Sequence, residues 1–308
     1  RARATILHTN AKRLVFSEAD GLPGFIVDQY GDYLVLQSRT GGIERWKPTL
    51  VDGLRKLVQP KGMLERSDKE FRDTEGLPPL IQLLSGTVPE HIRIEEDGLT
   101  FVVDPYHGQK TGFYLDQRET RRAVRALVQP GERVADVFAY TGAFGIGAAT
   151  RGAEVLCVEQ QDACIALAKE HATLNGVEHR VTYVVGDAFA WLAAKANRRD
   201  QFDWVFLDPP ALAKSKAERL SGRQALHHLL VHALDLLVPG GTLALSVCTY
   251  HLLGLPEEIL RIAAASRGVQ VVIRATTMQA PDHPWVLQRP MTRYLMSWIA
   301  QCDGPPAA

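Results

Sequence analysis

From residue 115 to the C-terminus the chain alternates short apolar runs with longer stretches of helical spacing, and this alternation limits the fold more than any other feature. LDQRETRRAVRALV reads as a helix, RVADVFAY as a buried strand, and TGAFGIGAATRG as a Gly/Ala-rich turn and helix. AEVLCVEQ is a strand, and QDACIALAKEHATLNG a helix that stops at Asn175-Gly176. RVTYVVGD, FDWVFLDPP, GTLALSVC and VQVVIRA continue the strands, with helices predicted at about 223–237 and 256–267 and YLMSWIAQ as the last strand. Apolar strands separated by helices form a mostly parallel sheet covered on both faces. The last two strands have no helix between them, so the far edge is expected to be antiparallel. The fold class predicted is α/β, a Rossmann-like sheet with an antiparallel edge strand, preceded by a small α+β domain.

That smaller domain is written in a different pattern. Residues 1–20 read as a short helix or an extended lead-in. GFIVDQYGDYLVLQS reads as a hairpin, Phe25–Val27 and Tyr33–Gln37 around a Tyr30-Gly31-Asp32 turn. Trp46, Leu50, Leu54, Leu57 and Val58 share helical spacing, and GMLERS forms a further strand. Residues 67–91, rich in charge, Pro and Gly, are expected to be a loop or irregular edge. HIRIEEDGLTFVVDP is a second hairpin turning at Asp97-Gly98. The domains expected are a lead-in over 1–11, the α+β domain over 12–104 and the α/β domain over 105–308.

Open α/β sheets bind ligands outside the carboxyl ends of their strands, at a topological switch point. The first strand ends in Asp136-Val137-Phe138-Ala139-Tyr140-Thr141-Gly142, the second in Glu159, the third in Gly186-Asp187-Ala188 and the fourth in Asp208-Pro209-Pro210. Glu159 lies 23 positions beyond Asp136, near the spacing at which an acid following a glycine turn accepts both ribose hydroxyls. A dinucleotide needs G-x-G-x-x-G; here the turn FAYTGAFG has one early glycine and a bulky Tyr140, which suits a pyrophosphate poorly and weakens a dehydrogenase reading. The turn suits a nucleoside with a small polar tail. Asp187 can accept from an adenine amino group and Asp136 can orient an ammonium, so the ligand that fits is S-adenosylmethionine. Each acidic strand end alone reads as a helix cap or a solvated turn; four on successive strands favour binding.

These segments also carry a resemblance. DVFAYTGAFGIGA, VEQQ, GDA and DPP resemble the successive motifs of class I methyltransferases. HGQKTGFYLDQRETR (107–121), LVFSEADGLPGFIVDQYGDYLVLQ (14–37), DPPALAKSK (208–216) and DHP (282–284) narrow the resemblance to ribosomal RNA cytosine-5 methyltransferases related to the 23S rRNA enzyme. It covers nearly the whole chain. The resemblance implies that Lys110, Gln117 and Arg118 border the methionine end of the cofactor, that Asp136, Tyr140, Thr141 and Gly142 line its centre, that Glu159 holds the ribose, and that Asp187 and Ala188 hold the adenine; Asp208, at the next strand end, is the further candidate for both cofactor and base. It further implies an N-terminal RNA-binding PUA module, and this stretch begins after where that module sits. Without a leading methionine the chain reads as a fragment or a renumbered piece of a longer protein.

Cys248, at the end of the fifth strand, is the candidate nucleophile. Free cysteine is by default a small apolar filler. Carbon 5 of cytosine, however, is a poor nucleophile until a thiolate adds to carbon 6, a covalent route that splits one hard step into easier ones. Asp208, at the neighbouring strand end, can hydrogen-bond the exocyclic amine or N3. The resembled family has Ser-Cys-Ser at this strand end; here it is Val247-Cys248-Thr249. Cys157 reads as core, Cys164 lies on a helix and Cys302 near the tail. The rival is methylation of a base amino group with Cys248 structural, but such enzymes place an aromatic after Asp-Pro-Pro and here stands Ala211. A non-catalytic RNA chaperone is the reading from another class.

Bulk properties set the partners and the compartment. The 35 basic and 35 acidic side chains cancel, so no global field draws nucleic acid, though a local patch still can; Arg1, Arg3, Lys12, Arg13, Lys214 and Lys216 are candidates. RNA with an accessible base is the expected partner, ribosomal RNA first, with a second copy of the chain as a further one. The four cysteines form no C-x-x-C pair, no His cluster has metal spacing, and a reducing, cytoplasmic setting without a metal is expected. No apolar run reaches the length of a membrane span, and RARATILHTN has no apolar signal core.

Overall fold

The computed structural model describes residues 6, 8–67, 72–196 and 201–304. Arg1 and Arg3 of the basic lead-in, part of the 67–91 stretch and the end of the tail lie outside those residues. The chain divides into two compact units, residues 1–118 with 280–293, and residues 119–279 with 294–308. The sequence-based split at 104/105 falls inside the first.

In the first unit, β1 (Ala11–Phe16), β2 (Phe25–Tyr30), β3 (Tyr33–Ser38), β4 (Gly62–Ser67) and β5 (Leu80–Gly86) form a five-stranded sheet in that order. Among the described residues of the lead-in, Ala11–Phe16 are extended and Ser17–Asp20 form a short 3-10 turn. Helix α1 (Gly41–Val58) begins earlier than its apolar spacing suggests, because the Thr40 side chain accepts the Ile43 N–H and caps it. Phe25, Val27, Leu34, Leu36, Ile43 and Met63 are buried together between helix and sheet. The hairpin of β6 (Ile92–Glu96) and β7 (Leu99–Val103) turns at Asp97 and Gly98, both with positive φ, as a two-residue turn matched to strand twist requires. The expectation of an irregular stretch at 67–91 is corrected by β5. It is an edge strand that leaves Ile81 and Leu83 about half exposed, so no inward-outward alternation announces it.

In the second unit, β8 (Arg133–Val137), β9 (Glu154–Glu159), β10 (Val181–Val185), β11 (Phe202–Leu207), β12 (Leu237–Val247), β13 (Gln270–Met278) and β14 (Met296–Asp303) form one sheet in the order β10-β9-β8-β11-β12-β14-β13. The first five run parallel, and β14 is antiparallel to both its neighbours. The fold is therefore the expected α/β Rossmann-like sheet with an antiparallel edge. Helices α2 (Arg118–Leu127), α3 (Ala143–Ala149), α4 (Asp162–Leu174), α5 (Ala188–Ala196), α6 (Arg219–Leu236) and α7 (Pro256–Ser266) connect the strands. Val137, Val158, Leu207, Leu245, Val247 and Trp298 lie in its apolar core. Pro239-Gly240-Gly241, residue types that end helices, does not separate helix from strand: α6 runs directly into β12 and the triplet lies within it. The pairing slips there, Phe202 opposite Leu237 but Trp204 opposite Thr242, a bulge that Gly240 at φ 81° accommodates. No helix among the described residues is long and apolar enough to cross a membrane.

Candidate active site

Strand order reverses at β8, which has β9 on one side and β11 on the other. In open α/β sheets ligands bind outside the carboxyl ends of the strands at such a switch point. Each predicted acid of the second unit is carried to its strand end.

The loop after β8 is held in a costly shape. Phe138 and Tyr140 have φ of 64° and 50°, the left-handed region that non-glycine residues rarely occupy without compensation. The compensation is visible in its hydrogen bonds. Ala139 N–H donates to Val158 O at 3.0 Å and Gly142 N–H to Ala139 O at 2.8 Å. Tyr140 N–H donates to Glu159 Oε2 at 3.0 Å. The Thr141 carbonyl is 2.8 Å from Nδ1 of the buried His171. The other Glu159 oxygen, Oε1, accepts the N–H groups of Gln160 and Gln161 at 2.9 and 3.0 Å. Three backbone amides thus orient this buried carboxylate.

Asp136 is buried and its Oδ2 accepts Gly145 N–H at 2.8 Å. Burial pushes its pKa up to about 7; the Gly145 hydrogen bond opposes this, and the charges of Asp208 and Glu159 add to it. The carboxylates at three strand ends therefore feel one another, an arrangement that a cationic ligand relieves. The Thr141 Oγ1 hydroxyl is buried with no hydrogen-bond partner, a polar position that a ligand atom can complete. Asp187 is exposed and its Oδ1 accepts Ala190 N–H at 2.8 Å, so one oxygen serves as the cap of α5, while Ala188 beside it is buried.

Asp208 and Cys248 follow the last residues of β11 and β12, adjacent parallel strands, and both are half-buried. The Cys248 thiol donates to the Pro209 carbonyl at 3.6 Å. The Thr249 hydroxyl donates to Ala213 O, tying the loop after β12 to the one after β11. The other three cysteines are buried. Burial drives the Cys157 thiol well above its ordinary pKa and Cys302 up to about 12. Among the described residues no group of three or more His, Cys, Asp or Glu can hold a metal ion.

Lys110, Gln117 and Arg118 fall in the first unit. Lys110 Nζ pairs with Asp116 at 2.6 Å. Gln117 and Arg118 are buried, and the Arg118 guanidinium donates to Asp282 at 2.9 Å. Sequence reasoning missed several supporting groups: Gly145 on Asp136, His171 on Thr141, and Asp282 on Arg118. DHP stands out as a motif, but nothing along the chain relates Asp282 to a residue 164 positions away.

A family profile for S-adenosylmethionine-dependent methyltransferases matches residues 78–284. The chain is 37% identical over 297 residues to ribosomal RNA large subunit methyltransferase I of Aeromonas salmonicida (strain A449), covering 94% of this chain and 74% of that one. The chain belongs to the S-adenosylmethionine-dependent methyltransferase family. The methyltransferase is similarly 36% identical to ribosomal RNA large subunit methyltransferase I of Shewanella amazonensis, with the same shares covered. Among solved structures, a candidate SAM-dependent methyltransferase from Streptococcus mutans matches with a TM-score of 0.83 at 22% identity, over 98% of this chain and 77% of that one. A methyltransferase crystallised with SAH superposes equally well, at 22% identity over 97% of this chain and 77% of that one. These structural likenesses show the fold. The cofactor of this methyltransferase is S-adenosylmethionine, and the residues present fit it: a cluster of carboxylates suits a ligand with sulfonium and ammonium charges, and the Thr141 hydroxyl awaits a polar partner.

Proposed function

We propose that the protein methylates carbon 5 of a cytosine in RNA, with large-subunit ribosomal RNA as the substrate, through a covalent adduct on Cys248. The observation that carries this reading is the position of one sulfur. Of the four cysteines only Cys248 is not buried, and its thiol lies 3.6 Å from the Pro209 carbonyl, where the Asp208 strand end and its own meet.

The chemistry required of these residues is specific. The Cys248 thiolate adds to C6 of the cytosine, forming an S–C6 bond and moving the C5=C6 electron pair to C5 as an enamine. Bound S-adenosylmethionine supplies the electrophilic methyl group. Asp208 hydrogen-bonds the exocyclic amine or a protonated N3 and so stabilises the adduct. A base then takes the C5 proton, the C5–H electron pair re-forms the C5=C6 bond, and the sulfur leaves C6 as thiolate with the pair of the S–C6 bond. In the cofactor cleft, Asp136 takes the ammonium, Glu159 the ribose hydroxyls and the free oxygen of Asp187 the adenine amine, with Ala188 beside the ring and Tyr140, Thr141 and Gly142 along the centre. Assignment of Lys110, Gln117 and Arg118 to the methionine end rests on the sequence resemblance alone. The names of the curated relatives support a large-subunit ribosomal RNA substrate, and with it a cytoplasmic site of action.

RNA carrying 5-fluorocytosine is the direct test, because fluorine at C5 blocks the final elimination. The expected result is a denaturant-stable protein–RNA adduct with the wild type and none with Cys248→Ala, which still binds cofactor. Methyl transfer that survives Cys248→Ala, with the product methylated on the amino group, overturns the reading in favour of nitrogen methylation.

A further inference from the structure

The first unit contains a loop whose apolar side chains face outward although the backbone beneath them is firmly held. It begins at Asp282, which is buried, pairs with Arg118 at 2.9 Å and accepts Arg13 N–H at 2.9 Å. His283, also buried, packs its ring against Phe16 with centroids 5.3 Å apart. Beyond this root the loop braces itself. Arg289 N–H donates to Val286 O at 2.8 Å, Val286 N–H donates to the Thr292 hydroxyl at 2.8 Å, and that hydroxyl donates to Arg289 O at 2.7 Å. The Arg289 guanidinium donates to the Glu18 carbonyl.

On this scaffold Trp285, Leu287 and Met291 are 38%, 74% and 57% exposed. The Arg293 guanidinium lies over the Trp285 ring, 5.6 Å from its centroid. From Pro284 to Arg293 there is no acidic residue and two are arginine. An exposed indole wastes no conformational entropy when a flat partner stacks on it, and a guanidinium beside it meets a phosphate. Apolar surface alone would serve a protein partner equally. The purely basic charge of the segment selects a polyanion, and the planar indole selects one with flat, unstacked rings.

We infer that this loop is a single-stranded RNA platform, on which an unpaired base of the RNA stacks against Trp285 while Arg293 and Arg289 meet the adjoining phosphates. The inference rests on the RNA reading above and adds a binding site to it. Stacking on a rigid aromatic is tolerant of base identity, so the platform supplies affinity for unpaired RNA more than sequence choice.

The test titrates the protein with a fluorescein-labelled single-stranded RNA oligonucleotide, read by anisotropy, and measures methyl transfer to ribosomal RNA in parallel. Trp285→Ala is expected to weaken oligonucleotide binding by about tenfold, Trp285→Phe to retain most of it, and Arg293→Gln to flatten the salt dependence. A blunt RNA duplex is expected to bind wild type and Trp285→Ala alike. Equal single-strand affinity for wild type and Trp285→Ala overturns the proposal, as does the absence of any oligonucleotide binding by the wild type. A change of oligomeric state on Trp285→Ala in light scattering, with RNA affinity unchanged, overturns it in favour of a surface for a second copy. If Trp285→Ala is neutral while the wild type still methylates RNA, only the platform falls; if the wild type transfers no methyl group to RNA, the functional reading falls with it.

Discussion

Asp136 shows how one residue can link cofactor binding to pH. Burial pushes its carboxyl up from the ordinary 3.8 to about 7. The folded protein therefore holds a proton that the unfolded chain has already lost between about pH 4 and 7, and the contribution of this group to stability falls as pH rises through that window. A bound cation favours the ionised carboxylate. Cofactor affinity is thus expected to rise on the order of tenfold from pH 6 to pH 8, measured by titration calorimetry, and Asp136→Asn is expected to flatten that dependence. Equal slopes for the two proteins would remove Asp136 from the role. Cys157 is the contrasting case: its sulfur is 4.0 Å from the Asp136 carboxylate, yet complete burial and that negative neighbour keep it a thiol. Proximity to the cleft does not make a nucleophile; Cys248 differs by lying past the end of its strand.

At the scale of elements, the cleft depends on how closely α3 approaches the sheet. A methyl group placed on Gly145 would sit 2.9 Å from Asp136 Oδ2, 2.9 Å from Val155 Cγ1 and 3.0 Å from Cys157 Sγ. None of these atoms is the loose end of a long side chain, so Gly145→Ala is expected to cost about 1–3 kcal/mol of stability by overpacking, seen as a lower denaturation midpoint, and to weaken cofactor binding by displacing Asp136. Asp187 belongs to this scale too, because it is both a helix cap and a candidate adenine acceptor. Asp187→Ala is expected to lose about 1 kcal/mol through the Ala190 amide. Asp187→Asn keeps the cap, so a loss of cofactor affinity without a loss of stability in that variant isolates the second role.

Across the whole molecule, the segment 280–293 belongs to the first unit although the chain reaches it from β13 and leaves it into β14. Its anchor is the buried pair of Asp282 and Arg118. Burial by itself raises the Asp282 pKa, but the hydrogen bond from His283 and the charge of Arg118 hold it below the ordinary carboxylate range. Stability from this group is therefore complete above about pH 4, its unfolded range, and is lost as acid is added below that. Asp282→Ala removes the buried carboxylate paired with Arg118 and is expected to cost about 3–5 kcal/mol, checked by urea unfolding. For the same reason a fragment of residues 1–118, lacking the segment, is expected to show no cooperative melt by circular dichroism; a sharp transition would show that the anchor is dispensable.

Much of this architecture can be read along the chain, and the reason is local. Strand and helix periodicity, the turn at Asp97-Gly98 and the acidic strand ends are properties of neighbouring residues, so the parallel sheet, its antiparallel edge and the acids at the strand ends follow from sequence. The exceptions are equally physical. β5 shows apolar residues to solvent and so lacks alternation; Pro239-Gly240-Gly241 reads as a stop but is absorbed as a bulge once β11 pairs with the strand on both sides of it. Sequence by itself determined the fold class, the methyltransferase family and which side chains reach the strand ends. Only the tertiary structure decided that Asp136 carries a raised pKa, that Cys248 meets the Pro209 carbonyl, and that Asp282 roots an exposed tryptophan loop on Arg118. Each of those depends on distances between residues far apart in the chain, and in a folded protein burial and charge act through space, not along the backbone.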